Sequence, residues 1–161
     1  MKEIQAGFMR DDVRQVFADL QDLPGPAPLV KAAQDLLPAH AECEAAMATR
    51  PGANRALVLV SPEYVIVAAA KGKNPEQVHG ARYEMSEVDG AHIRGIVTTT
   101  VVINTDETRL EFTARSYRDA RALVKAINDH VESREKVSLR ERLRRRIRYV
   151  KVRAIDKLEN L

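Results

Sequence analysis

Arg55-Ala56-Leu57-Val58-Leu59-Val60-Ser61-Pro62-Glu63-Tyr64-Val65-Ile66-Val67-Ala68-Ala69-Ala70 is the stretch that decides the fold. Leu57–Val60 and Tyr64–Ala70 are β-rich apolar runs, and Ser61-Pro62-Glu63 between them places proline where a tight turn accepts it. They read as two antiparallel strands. After the polar loop Lys71-Gly72-Lys73-Asn74-Pro75-Glu76-Gln77, further strands are expected near His79–Met85 and Val88–Arg94. Ile96–Asn104 and Arg109–Ala114 flank Thr105-Asp106-Glu107-Thr108, a hairpin turn by composition. In the last strand Leu110, Phe112 and Ala114 alternate with Glu111 and Thr113, so one face is dry and the other wet. Short strands at this spacing indicate an antiparallel barrel or sandwich.

Helical periodicity brackets the strands. Toward the N-terminus, Asp12 reads as an N-cap with Gln15 at the box position, and Val13, Val16, Phe17, Leu20 and Leu23 form one apolar face. Pro24-Gly25-Pro26 ends that helix, and a second, roughly Pro28–Leu37, carries Leu29, Val30, Ala33, Leu36 and Leu37. Toward the C-terminus, Ser116 caps a helix on which Ala120, Leu123, Val124, Ile127 and Val131 share a stripe about 100° wide. His40–Ala48 favours helix on local propensity.

Composition sets outer limits. The chain has 161 residues, enough for one ordinary core plus appended helices. It contains no Trp and a single cysteine, Cys43, which excludes an intramolecular disulfide and fits a reducing compartment. The N-terminal residues lack a secretory apolar stretch, and no run is long enough to span a bilayer. A cytoplasmic location is expected, with peripheral membrane attachment as its variant.

The order of these elements resembles bacterial pleckstrin-homology-like (PH-like) domains, particularly the YokE-like group. The resemblance lies in Arg55–Val67 (leucine-rich strand, short turn, apolar strand), in Arg82-Tyr83-Glu84-Met85-Ser86-Glu87-Val88, and in the hairpin ending in Arg109–Ala114 followed by the Tyr117–Val131 helix. It covers roughly residues 36–132. It implies a seven-stranded, strongly bent antiparallel sheet closed at one end by the helix; with the flanking N- and C-terminal helices read from periodicity, the expected fold is α+β, a PH-like bent antiparallel barrel or sandwich closed by a C-terminal helix. It also implies that Ala41–Thr49 is the first strand, against its propensity. The expected organisation is a helical hairpin over 1–38, the PH-like domain over 39–133 and a basic amphipathic helix over 134–161. Such domains serve as binding modules, and the fold alone does not choose the ligand.

Little in the sequence points to catalysis. His40, His79, His92 and His130 show no metal-ligand spacing with each other or with Cys43. No nucleophile elbow, phosphate-binding loop or dinucleotide fingerprint is present. No catalytic, cofactor or metal residue is therefore assigned, no cofactor is expected, no small-molecule substrate is identified, and the chain is read as non-enzymatic. In PH domains that bind phosphoinositides, loop cations hold the head group. Arg50, Arg55, Lys71 and Lys73 occupy loop positions here, but the family's lysine with a Lys/Arg-x-Arg pair is not reproduced.

The tail carries the functional signal. Residues 134–161 hold eleven Lys+Arg and four Asp+Glu, a net of +7, and the rest of the chain carries −4. Leu139, Leu143, Ile147, Val150, Ala154, Leu158 and Leu161 fall within about 100° on a helical wheel. Arg142, Arg145 and Arg148 lie opposite, and Ser138 with Glu141 reads as a capping box that starts this helix. The stripe either docks on the domain or the N-terminal hairpin of its own chain, with the arginines as a solvated face, or meets a partner of one of two classes. Leu139, Leu143, Ile147, Val150 and Ala154 form a seam for a protein partner or a homo-oligomer. Alternatively, the arginines attach the chain to an anionic lipid surface or nucleic acid.

Overall fold

The computed structural model describes residues 9–17, 25–50, 54–71 and 77–159, with the side chains of 142 and 145–159 set aside. In chain order the elements are α1 (Asp11–Val16), α2 (Ala27–Leu36), β1 (Ala45–Ala48), β2 (Asn54–Val60), β3 (Tyr64–Lys71) and β4 (Val78–Glu84). A 3-10 turn (Met85–Glu87) leads to β5 (Val88–Arg94), β6 (Thr100–Thr105), β7 (Arg109–Thr113) and α3 (Tyr117–Glu159). β1 to β4 form one antiparallel sheet in sequential order, and β5 to β7 form a second. The Thr49–Ala114 bridge and the Arg115 N–H donated to the Ala48 carbonyl at 2.9 Å join the sheets along one edge. Four and three antiparallel strands closed by a C-terminal helix make the fold α+β and PH-like.

The apolar runs of β2 and β3 are continuous because their sheet is buried on both faces. Leu57, Leu59, Ile66 and Ala68 face α1 and α2, where they meet Val13, Leu29, Val30 and Ala33. Val58, Val60, Val65 and Val67 face the second sheet and α3, against Val101, Ile103, Leu123 and Ile127. Layers of helix, sheet and sheet-plus-helix result. β1 is Ala-Ala-Met-Ala and wholly buried. Small side chains suit a strand crowded from both sides, which is why tertiary packing overrides its helical preference. The first strand exists as expected but is shorter, since residues 41–44 precede it as irregular chain.

Several local expectations are corrected. Asp12 does not cap α1: the N-cap position is Arg10, and no side chain caps the helix. The Asp12 carboxylate instead accepts from the Arg10 guanidinium at 2.8 and 3.0 Å and from the Cys43 N–H at 2.9 Å. α1 ends at Val16, and Leu20, Leu23 and Pro24 lie outside the described residues. The strand expected over Ile96–Asn104 begins at Thr100. Gly95, at φ +95°, turns the chain there, because a left-handed backbone suits glycine and halts β pairing. Ser138 starts no helix, since α3 runs unbroken from Tyr117 to Glu159. With the preceding turn already helical and no Gly or Pro between 117 and 161, nothing interrupts the hydrogen-bond ladder.

Candidate functional site

α3 is set in place residue by residue. The Ser116 hydroxyl accepts the Asp119 N–H at 3.3 Å, as its capping role requires. Ala120, Leu123, Ile127 and Val131 are then buried against the sheets. Asn128 lies along the outer edge of β5: its Oδ1 accepts the Ala91 N–H and its Nδ2 donates to the Ala91 carbonyl, both at 2.9 Å. The amide therefore does for β5 what another strand would do. His130 Nε2 meets Glu44 Oε2 at 2.6 Å. Arg134 donates to the carbonyls of Met85 at 2.8 Å and Val88 at 3.1 Å.

Beyond Arg134 the helix leaves the domain. Val137, Leu139 and Leu143 are 56%, 57% and 55% exposed, large apolar side chains left uncovered among the described residues. Leu139 and Leu143 lie twelve residues after Ile127 and Val131, and at about 100° per residue that rotates them by about 120° around the axis. The apolar stripe of the projecting part is therefore not the stripe that packs on the sheets. An open hollow of about 400 Å³ lies beside it, lined by Arg134, Glu135, Ser138 and Leu139. Of the expected seam, Leu139 and Leu143 are exposed on the projecting helix. The side chains of Ile147, Val150 and Ala154, and those of Arg142, Arg145 and Arg148, lie outside the described residues.

The helix departs from an acidic end of the domain. The Met85 N–H donates to the Glu63 carbonyl at 2.8 Å, and the Asp106 N–H to the Glu87 carbonyl at 2.9 Å. These bonds tie the β2–β3 turn, the 3-10 turn and the β6–β7 turn together. Glu63, Glu84, Glu87, Asp89, Asp106 and Glu107 are all exposed there. Glu84 and Glu87 cap the 3-10 turn reciprocally, and Glu63 approaches His40 at 3.4 Å. The sequence signal for this surface was available in the three turn segments, but only the fold gathers them.

Other expected cations are less concentrated. Arg50, Arg55 and Lys71 are exposed. The pairing of Asn54 with Lys71 and of Arg55 with Ala70 brings Arg55 and Lys71 to one end of the first sheet. Lys73 lies outside the described residues. Ile96 and Val97 stand fully exposed in the β5–β6 turn. Cys43 is buried and donates to the Ala45 carbonyl at 3.4 Å, and burial, with the Asp12 charge, pushes its thiol up to about 12. A thiol so protonated is inert as a nucleophile. Among the described residues, no three His, Cys, Asp or Glu side chains are placed to hold a metal ion. Among them, too, no helix is long and apolar enough to cross a membrane.

No protein-family model matches the chain, and no curated protein matches it. Among solved structures, the hSac2 domain from the human phosphoinositide phosphatase Sac2 is similar at 14% identity, over 66% of this chain and 77% of that one, with a TM-score of 0.40.

Proposed function

We propose that this chain is a non-enzymatic interaction module whose contact with a protein partner or its own copy is made by the projecting half of α3. The observation that carries this reading is the exposure of Leu139 and Leu143 on a helix that continues past Arg134, which among the described residues is its last hydrogen-bonded contact with the body. Single exposed apolar residues are ordinary on protein surfaces, but Leu139 and Leu143, four positions apart and so on one face of a projecting helix, mark a contact face. The resemblance to bacterial YokE-like domains agrees with a binding role, and membership in that group is part of the proposal. So is a cytoplasmic setting. The competing reading is attachment to anionic lipid or nucleic acid through Arg142, Arg145 and Arg148.

Sizing the full chain by light scattering separates the two. In the favoured reading, Leu139→Ser with Leu143→Ser reduces the assembled fraction, while raised salt alone does not abolish it, because apolar burial is not screened. If the serine variants associate as the parent does, and Arg142→Glu, Arg145→Glu and Arg148→Glu together abolish association, the apolar seam is wrong.

A further inference from the structure

We propose that the partner of the projecting helix is a second copy of this chain, with the arginine-rich segment 140–148 of each copy seated on the acidic end of the other. The inference rests on the helix-mediated association proposed above and adds the occupant and its orientation. The acidic end carries Glu84, Glu87, Asp89, Asp106 and Glu107, exposed carboxylates with no ion-pair partner among the described residues. Segment 140–148 holds Arg140, Arg142, Arg144, Arg145, Arg146 and Arg148 against one acid, Glu141. The two surfaces are complementary and lie in the same chain.

Among the described side chains they do not meet within one chain. Arg134 fixes α3 at the acidic end, and the helix continues without Gly or Pro, so it has no hinge on which to fold back. Residue 144 lies about 15 Å beyond Arg134 along the axis. Lys136, Arg140 and Arg144, the described free-standing cations of the projection, form no ion pair with the body. A second copy resolves this geometry. If each helix runs from its own acidic end toward its partner's, the two projections lie side by side and antiparallel, related by a two-fold axis. Placing residue 144 against the partner's residue 134 puts that axis near Leu139, so that its exposed side chain meets its own copy. An anionic membrane or nucleic acid is disfavoured as the occupant. To lie along residues 136–144 it would approach the carboxylates to within roughly the 8–10 Å over which charges act at physiological salt.

The test uses the full chain and inter-chain disulfides. Leu139→Cys is expected to cross-link under mild oxidation, because side chains near the axis bring their Cα atoms within about 7 Å, and Val150→Cys is not. The native Cys43 is buried and does not compete. Asp89→Lys with Asp106→Lys and Glu107→Lys is expected to leave monomers, as is Arg144→Glu with Arg145→Glu and Arg146→Glu. Mixing these two variants is expected to restore a dimer of one of each, a result that mere misfolding of either does not produce. Cross-linking at both positions, as in a parallel pair, overturns the proposal. So does an acid-reversed variant that stays dimeric; if Leu143→Ser still dissociates that dimer, helix-mediated association stands and only this orientation fails. A full chain that is monomeric and instead binds phosphatidylserine vesicles or duplex DNA overturns both.

Discussion

Replacing Arg10 with methionine tests how the N-terminal helices are held to the sheet. The Arg10 guanidinium donates to both Asp12 carboxylate oxygens and to the carbonyls of Leu37 at 3.3 Å, Pro38 at 3.2 Å and Ala41 at 2.7 Å. One side chain thus joins the start of α1, the end of α2 and the approach to β1. Methionine preserves much of the apolar stem and removes every one of these donors. The Arg10 and Asp12 side chains are 27% and 19% exposed, so the loss lies between that of a surface ion pair and that of a buried charge stripped of its partner. Those limits are about 1 and 3–5 kcal/mol, which places Arg10→Met at about 2–3 kcal/mol. In urea denaturation the midpoint should fall with the slope unchanged, while the exposed control Arg121→Met stays within about 0.5 kcal/mol of the parent. Adding Asp12→Asn to Arg10→Met should cost less than Asp12→Asn alone, since the shared ion pair is already gone. Arg10→Met no worse than Arg121→Met, or a strictly additive double variant, would refute the reasoning. Burial raises the Asp12 carboxyl, but the Cys43 N–H and Arg10 outweigh it and hold it below its ordinary value. A depressed folded-state value means its contribution is present above about pH 4 and is lost as pH falls through that value. The parent should therefore lose more stability on acidification than Asp12→Asn does.

Two further substitutions probe the packing around the sheets. A side chain at Gly80 would run into Leu36 Cδ1, so Gly80→Val should destabilise by about 1–3 kcal/mol in urea, with part recovered when Leu36→Ala is added. Asn128→Leu strips Ala91 of both edge hydrogen bonds and should cost about 1–3 kcal/mol, with faster aggregation on heating because the β5 edge is uncovered.

The strands were legible where local pattern and tertiary burial agree. Val88–Arg94 was expected and observed with the same ends, and Leu57–Val60 and Tyr64–Ala70 lie within β2 and β3. Ile96 to Thr99 misled because Ile-Val-Thr-Thr favours β structure, whereas the positive φ of Gly95 decides where the strand breaks. Asp12 misled for a related reason. An aspartate followed by Gln15 three positions on matches a cap, but Arg10, two residues earlier, competes for the carboxylate and brings three distant carbonyls with it. No sequence periodicity marks such a guanidinium, because its partners lie 27 to 31 positions away. The candidate surfaces divide in the same way. That Leu139 and Leu143 share one face follows from a helical wheel, but their exposure and the acidic end depend on placements that the fold alone makes.

The charge pattern of the projecting helix also bears on why it needs a partner. Lys136 with Arg140, Arg140 with Arg144, Arg142 with Arg146 and Arg144 with Arg148 are like charges four positions apart. Each such pair disfavours an isolated helix by about 0.2–0.5 kcal/mol, and Glu141 with Arg145 offsets only one of them. The segment is helical nevertheless, because the anchored half from Tyr117 to Arg134 already supplies the nucleus. A surface of opposite charge would remove the repulsion, and apolar cover for Leu139 and Leu143 would add to that relief. Both requirements fall on the same few turns of helix, immediately beyond the carboxylates of the domain's acidic end. A partner that brings carboxylates and an apolar stripe at that spacing meets them together, and a second copy of this chain carries both.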